Sequence, residues 1–569
     1  MANPGKKPTR TDQSGAMPRF DMSKIKGSAL NQKPASDHAG PSTPAPSPPG
    51  STLIPSVPRA HTPVDLPPPT PAKLPGVLSG QLVPLHNPSS PMAIIEGLTL
   101  IIDQAGRVCC IIPEGLHRRA EPVKSTRGVN FLRTVAVRQG LQLRRNGLNE
   151  LVEDIVAYGE ESAPRLPVYH RVAPVSGGIE LYLGDQQFTR VRVTAGNVEI
   201  LENPSEVLFC PSPISSALPV PAENGSDKAL RAILNVSDLD YQFILAWVTY
   251  TMAHPKVNGS KYVFLVVSGD QGTGKSFLTR VLSLLVDPNR VGIQAFPSKA
   301  EDLALFMGSS HVVCIDNMRS IKSQMSDLLC MASTGGTVST RALYTDGALS
   351  TKNLHGACIF NGIHSLVAQS DLAQRCLTIR LSRIDGAKYR SESEMMELFE
   401  QHHPEIFRYL LNLISKIFNH LPSVEPANPE RMIDFCRWLA AFEAAENLPA
   451  GVLQLAYSES LRQSQLDTLM DNTLAAAIIE FAVKRIRGQW TGSPADFLNE
   501  LNAMVSQGTV YSREWPKNPT ALGRRLPGLK ASLATQGIHI ESTRGKARQI
   551  TIRIDQNQAE EVFDEANIF

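Results

Sequence analysis

The sequence predicts a multidomain α/β protein whose centre is a parallel sheet with a phosphate-binding loop. A glycine-rich segment at 269–276 lies between an apolar run at 262–267 and an amphipathic stretch at 277–286, the order of a strand, a loop and a helix. Two later apolar runs, at 311–317 and 357–362, each end in polar residues, as buried parallel strands do when they carry side chains to a ligand. With 569 residues, the chain is long enough for several such cores.

Composition and pattern divide the chain into six parts. Residues 1–90 hold 19 of the 42 prolines, so this Pro/Ser-rich tail cannot bury enough apolar surface to fold and is predicted to be disordered. Its early lysines and arginines are compatible with a tether or with a solvated tail. The other parts are a mixed α+β accessory domain at 91–225, a nucleotide-binding core with preceding helices at 226–385, a helical lid at 386–463, a winged helix at 464–555 and an acidic tail at 556–569.

Composition and hydropathy argue against a membrane-embedded or secreted protein. Lys and Arg total 56 against 54 Asp and Glu, so net charge indicates no partner. The 8 cysteines form no CxxC pair, which favours a reducing, cytoplasmic setting. No apolar run approaches the roughly 18 residues that span a membrane, and the amino terminus lacks an apolar signal core. Neither membrane insertion nor secretion is expected.

The segment at 269–276 predicts the binding of ATP with Mg²⁺. Glycines let successive backbone N–H groups turn toward phosphates, and the following helix directs its positive end at them. Lys275 would reach the β- and γ-phosphates and Ser276 would supply a hydroxyl to the metal. The predicted binding residues are Gly269, Asp270, Gln271, Gly272, Thr273, Gly274, Lys275 and Ser276.

Three later residues complete the predicted catalytic set. Asp316 ends an apolar run and is the expected magnesium-side acid. Asn361 ends the next run and would orient the attacking water. Arg375 precedes a further strand; in a ring of subunits it would reach the neighbour's γ-phosphate, and the alternative is an ion pair with Asp371.

Motifs in this order resemble the AAA+ superfamily 3-type helicase-like ATPases of bacterial mobile elements and phages, relatives of poxvirus-type primase-helicases and cassette-encoded replicative helicases. The resemblance extends over roughly 230–555, and its motifs are SGDQGTGKS at 268–276, VVCIDN at 312–317, TGGTVSTRALYTDG at 334–347, IFNGI at 359–363, DLAQR at 371–375 and RMIDFCRW at 431–438. It implies an AAA+ core and a homo-hexameric ring that threads DNA. The chain departs from many such motors at Asn317, where an acid usually polarises water. Either Glu301, Asp302 or a neighbouring residue substitutes for that acid, or hydrolysis is slow and depends on assembly.

Residues 338–352 read as a β-hairpin with an Asp-Gly turn. Arg341 and Lys352 lie on its two arms. The resemblance implies a hairpin that projects into the ring pore and contacts DNA phosphates through these cations. A plain surface hairpin is the alternative.

The last domain reads as three helices and a β-hairpin, the pattern of a winged helix. Between 513 and 553 there are nine Lys and Arg against two Glu, an excess of +7 in a chain whose total is +2. This favours DNA binding, and docking of another protein is the alternative. The predicted DNA contacts here are Arg524, Arg525, Arg544, Lys546 and Arg548.

These features predict an ATP-driven, ring-forming DNA helicase or translocase that acts on single-stranded or forked DNA in replication of a mobile element, phage or plasmid. The rival hypothesis is a DNA-binding AAA+ ATPase switch, an initiator, regulator or defence component that does not translocate. Either tail of the chain is a candidate docking segment for replication proteins.

Overall fold

The computed structural model describes residues 91–318, 321–341, 349–362, 369–384, 390–486, 488–543 and 548–555, with the side chains of 91–93, 317, 340, 341, 349 and 350 excepted. The predicted disordered tail at 1–90 and the predicted acidic tail at 556–569 lie outside the described residues. The α/β class with a central parallel sheet is confirmed.

Five sheets contain the described strands. In chain order these strands are β1 (Leu100–Ile102), β2 (Val108–Glu114), β3 (His117–Pro122), β4 (Val168–Tyr169), β5 (Val172–Val175), β6 (Gly178–Tyr182), β7 (Arg190–Thr194), β8 (Asn197–Ile200), β9 (Leu208–Phe209), β10 (Phe264–Gly269), β11 (Val312–Met318), β12 (Gly336–Arg341), β13 (Leu349–Leu354), β14 (Ala357–Gly362), β15 (Cys376–Leu381), β16 (Gln489–Gly492), β17 (Ile538–Thr543) and β18 (Gln549–Ile554).

The helices occur in all parts of the described chain. They are α1 (Pro91–Glu96), α2 (Thr126–Arg138), α3 (Arg145–Ser162), α4 (Lys228–Ile233), α5 (Asp238–Ala253), α6 (Lys275–Val286), α7 (Ala300–Ser309), α8 (Ser323–Thr334), α9 (Ser370–Ala373), α10 (Glu392–His420), α11 (Ile433–Ala445), α12 (Val452–Met470), α13 (Thr473–Arg485), α14 (Pro494–Met504), α15 (Gln507–Tyr511) and α16 (Pro519–Ala534).

The central sheet has the order β11-β14-β10-β15, and all of its pairings are parallel. Every residue of β14 is buried, as expected of a strand that is covered on both faces. Beyond β11, Gln294 forms a parallel bridge to Ile315 at the sheet edge. Because the strands run in one direction, the carboxyl ends of β10, β11 and β14 lie at one edge, where ligands bind in open α/β sheets.

The accessory region contains two sheets. One has the order β1-β2-β3-β9-β4 and is covered by α2 and α3; the other is the antiparallel meander β5-β6-β7-β8. Side chains of the meander, such as Leu181 and Val191, share one hydrophobic core with the central sheet and with α10. The meander is therefore packed as part of the same core as the central sheet.

The predicted lid is helical, with α10 to α12 packed against the central region. Helix α10 begins at a capping box in which Ser391 accepts from the Glu394 backbone and Glu394 accepts from the Ser391 backbone. A separate hydrophobic core begins at Leu466 and contains α13, α14, α16 and the sheet β16-β18-β17. The predicted helices and hairpin of this part are present, and the structure adds the strand β16 and the short helix α15.

Candidate nucleotide-binding site

Residues 269–276 carry the glycine-rich sequence motif called a P-loop and connect the carboxyl end of β10 to the amino end of α6, the P-loop helix. At Gly269, which has a φ of 150°, a Cβ atom would lie 2.7 Å from the Leu381 carbonyl oxygen, so only glycine fits. Gly274 occupies the N-cap position of α6 with a φ of 90°. Because glycine has no side chain, no side-chain hydrogen bond caps the helix. The first N–H groups of α6 therefore face the loop without a capping side chain, which is the arrangement that binds phosphate.

Lys275 lies across the mouth of this loop. Its Nζ atom donates to the carbonyl oxygens of Gly269 at 2.7 Å and of Asp270 at 2.6 Å. Desolvation lowers the pKa of Lys275, while the nearby Asp270 and Asp316 carboxylates oppose that shift. The ammonium group therefore lies against the backbone of the 269–276 loop.

Ser276 and Asp316 come together at the same edge of the sheet. The Ser276 Oγ atom donates to Asp316 Oδ2 at 3.1 Å, although the two residues are 40 positions apart. A hydroxyl beside a carboxylate suits Mg²⁺, which takes oxygen ligands and is often bound by one or two protein groups together with phosphates and water. In the described part of the chain, no cluster of three or more His, Cys, Asp or Glu could hold a metal by itself.

Asn361 is the last residue but one of β14, the strand between β10 and β11. Its side chain is only 1% exposed, and its Nδ2 atom donates to Thr279 Oγ1 in α6 at 3.2 Å. The structure therefore places the predicted amide at the carboxyl edge of the sheet, against the P-loop helix.

Asn235 was not predicted from the sequence, and it also contacts this loop. Its Nδ2 atom donates to the Ser382 carbonyl oxygen at 2.8 Å and approaches the Thr273 carbonyl at 3.5 Å. It lies in the turn between α4 and α5, 38 residues before Thr273. No local motif marks it, because only the tertiary contact brings that turn to the loop.

Arg375 lies at the opposite edge of the sheet. Its backbone carbonyl accepts from Phe264, the first residue of β10, whereas the P-loop begins at the last residue of that strand. Five steps along a strand correspond to about 17 Å. Arg375 is 8% exposed, and its Nη1 atom donates to Ser333 Oγ at 2.9 Å. The fold therefore directs this arginine away from the nucleotide site of its own chain.

Asp371 forms ion pairs with Arg375 and Arg431 at the amino-terminal edge of the sheet. Its carboxylate is 3.7 Å from Arg375 Nε and also pairs with Arg431. Burial raises the pKa of Asp371, but hydrogen bonding from Cys330 and the two cations lower it more, so the net shift is downward. Arg431 additionally donates to Gln374 at 3.1 Å.

The predicted hairpin is formed by β12 and β13, which pair antiparallel. Lys352 is opposite Val338 and is partly exposed, and Arg341 is opposite Leu349. The turn at 342–348 and the Arg341 side chain lie outside the described residues.

Cations of the last domain converge on α16. Arg524 and Arg525 are exposed, and Arg525 donates to the Glu514 carbonyl. A Cβ atom at Gly523 would lie 3.6 Å from Arg548 Nη1, so the Arg548 guanidinium lies over the helix surface. Arg544 and Lys546 lie outside the described residues.

Family models match the larger part of the chain. Residues 227–471 match the actinomycete integrative conjugative element replication protein, and residues 474–565 match the AICE RepA C-terminal domain. Curated proteins gave no match. The matched regions relate residues 227–471 and 474–565 to a replication protein.

Two solved structures are also similar. The apo C-terminal region of NrS-1 (305–718) has a TM-score of 0.34 and 12% identity, covering 82% of this chain and 98% of that chain. JCV helicase with a bound acetamide compound has a TM-score of 0.18 and 13% identity, covering 40% of this chain and 66% of that one.

No described helix is long and apolar enough to cross a membrane.

Proposed function

We propose that this chain, which is similar to an integrative-element replication protein from residue 227 onward, is an ATP-driven, ring-forming DNA helicase or translocase of a mobile element. The proposal rests on the hydrogen bond between Ser276 Oγ and Asp316 Oδ2, which are 3.1 Å apart beside the glycine-rich loop. That pair, the glycine loop and Lys275 form the constellation that a triphosphate with Mg²⁺ requires.

Each residue of the site has a distinct part in hydrolysis. The backbone of 269–274 and the amino end of α6 bind phosphate oxygens, and Lys275 exchanges its two carbonyl contacts for the β- and γ-phosphates. Mg²⁺ held by Ser276 and Asp316 would neutralise charge that develops on the phosphates. Asn361 orients the attacking water.

The residue that accepts the proton of the attacking water is not Asn317. Asn317 follows Asp316 and, as an amide, orients water but cannot take its proton. Glu301 and Asp302, which are exposed in the first turn of α7, are the candidates to substitute.

A ring completes the site with a group from a neighbouring subunit. Arg375 is too far from the P-loop of its own chain, so its contribution to hydrolysis requires a second copy. A guanidinium that reaches a γ-phosphate in trans is worth roughly 10³-fold or more in rate. A homo-hexamer is the assembly that the AAA+ resemblance implies.

Two surfaces would contact DNA. The arms of the β12–β13 hairpin carry Arg341 and Lys352, which would bind backbone phosphates in the pore. The other surface belongs to the last domain, which would act as a winged helix; its helix α16 carries the exposed residues Arg524 and Arg525. That helix would enter a groove of the duplex.

A DNA-bound ATPase switch without translocation is the second candidate function, and Asn317 is the residue that favours it. Strand displacement on a forked duplex separates the two. If the chain translocates on DNA, we expect ATP-dependent strand displacement by the wild type. The rate of displacement should be lower in the Arg341→Ala/Lys352→Ala variant, which should still bind nucleotide. DNA-stimulated hydrolysis without displacement, unchanged in that variant, would exclude the motor and leave the switch.

A further inference from the structure

Helix α2 of the accessory region has an exposed cationic face. Between residues 122 and 149 the chain contains six Lys and Arg residues and no Asp or Glu, a local charge of +6 in a chain whose total is +2. The region precedes residue 227, where the matched family models begin. The six cations are Lys124, Arg127, Arg133, Arg138, Arg144 and Arg145.

The fold fixes which side of α2 meets solvent. Gly128, Leu132 and Ala136 are buried against the sheet and α3, and a Cβ atom at Gly128 would lie only 2.2 Å from the Pro122 carbonyl oxygen. The helix begins at Ser125, whose side chain accepts from the Gly128 N–H at 2.9 Å. The buried side is therefore tightly held, and the opposite side is presented as a rigid surface.

That opposite side has a defined arrangement of charge. Arg127 and Arg138 lie on one line of the helix, because eleven residues at 100° per residue return to nearly the same direction. Arg133 borders the other margin of the exposed arc, and the short polar residues Asn130 and Thr134 lie between the margins. Arg127 and Arg138 are about 16 Å apart along the axis, the length of about five phosphates of one DNA strand.

Among the residues that the structure describes, these guanidinium groups have no anionic partner. Nearby ion pairs use Arg119, which contacts Glu114, and Lys124, which contacts Glu153. None of the ion pairs in the described part of the chain includes Arg127, Arg133, Arg138, Arg144 or Arg145, and all five are exposed. Uncompensated arginines on a rigid helix are the groups that bind phosphate oxygens in bidentate geometry.

We infer that this face, defined by Arg127, Arg133 and Arg138, binds the phosphodiester backbone of DNA. A membrane surface fits less well, because a helix that lies in a bilayer exposes a broad apolar face, whereas the apolar side of α2 is buried and Val137 is its one large exposed apolar residue among those described. Glu153 of α3 pairs with Lys124 just before α2, so acidic charge lies beside the amino end of the helix.

The test is DNA binding by the full chain without nucleotide, measured by anisotropy of labelled single-stranded and duplex oligonucleotides over a series of salt concentrations. The variant is Arg127→Gln/Arg133→Gln/Arg138→Gln, since glutamine keeps helix propensity. The matched control, Lys228→Gln/Arg290→Gln/Lys416→Gln, removes three exposed positive charges from other surfaces. Thermal unfolding of both variants checks the fold.

The variant is expected to bind DNA roughly ten-fold more weakly than the control at low salt, with a salt slope lower by about one for each lost phosphate contact. The oligonucleotide with the larger loss identifies the strand form that α2 contacts. Equal affinity and slope in variant and control would overturn the inference, as would loss of binding to phosphatidylserine vesicles with DNA affinity unchanged. DNA-independent ATP hydrolysis reports on the proposed function separately, because no residue of the nucleotide site is altered.

Discussion

Arg171, the residue before β5, and Asp287, the residue after α6, form a buried ion pair with 3.0 Å between Nε and Oδ1. Arg171 also donates to the Leu183 carbonyl at 2.9 Å. The second oxygen of Asp287 accepts from the His311 N–H, immediately before the strand that carries Asp316. One carboxylate thus links the accessory region, the P-loop helix and the acid strand.

We expect Arg171→Ala to lower the free energy of unfolding by about 3 to 5 kcal/mol, because it leaves Asp287 charged and buried without its partner. Urea unfolding of the full chain measures the change. Lys124→Ala is the control, since it breaks the exposed Lys124–Glu153 pair and should cost less than about 1 kcal/mol. Equal shifts in the two variants would contradict the structural role of the buried pair.

Nucleotide binding and turnover should be separable at the P-loop. We expect Lys275→Ala to abolish binding of a fluorescent ATP analogue, because the β- and γ-phosphates lose their cation. Asp316→Asn should retain binding but hydrolyse ATP at least roughly 100-fold more slowly, because the carboxylate acts on charge that develops during transfer. The exposed Lys322→Ala is the control for binding. An Asp316→Asn enzyme with normal turnover would remove Asp316 from the site.

A trans-acting Arg375 predicts a specific behaviour in mixtures. Arg375→Ala subunits should poison wild-type hydrolysis, so that the mixed rate falls below the average of the two proteins. Ser333→Ala is the control because it removes the intramolecular hydrogen bond of Arg375 and keeps the guanidinium. If both variants lower activity equally and the mixed rate is the plain average, Arg375 stabilises its own subunit and does no more.

Stability should fall between neutral and mildly acid pH. Burial lowers the pKa of His254, His311 and His403 to about 4 in the folded chain. In the unfolded chain the pKa of histidine is near 6.5. Between about pH 6.5 and 4 the unfolded chain therefore binds more protons than the folded chain, so the free energy of unfolding decreases as the pH falls through this range.

His403 gives the simplest test, because its ring stacks near Phe399 and its Nε2 atom has no hydrogen-bond partner among the described residues. Leucine at this position removes a titrating group, so His403→Leu should show a smaller loss of melting temperature between pH 6.5 and 4.5 than the wild type. An identical pH dependence in the two proteins would contradict a lowered pKa at His403.

The geometry of the candidate nucleotide site was predictable because its signals are local. A glycine segment with Lys275 and Ser276 specifies its own turn, and apolar runs that end at Asp316 and Asn361 specify strands whose carboxyl ends share an edge. The helices and hairpin of the last domain were predictable for the same reason, since turns and hydrophobic periodicity mark each of them.

Contacts between distant segments were not predictable. Asn235 reaches the loop only through tertiary packing, and nothing near Arg171 indicates a partner 116 residues later. The cationic face of α2 requires knowing which side of the helix is buried, which the fold decides. Likewise, the sequence placed Arg375 beside a strand, but only the structure gives its contact with Ser333.

Steady-state ATP hydrolysis with and without single-stranded DNA tests the central claim most directly, namely that the site at Gly269 to Ser276 drives work on DNA. The account predicts Mg²⁺-dependent hydrolysis that DNA stimulates several-fold and that disappears in the Lys275→Ala variant. A wild-type protein that binds DNA but hydrolyses ATP no faster than its Lys275→Ala variant, with or without DNA, would contradict it.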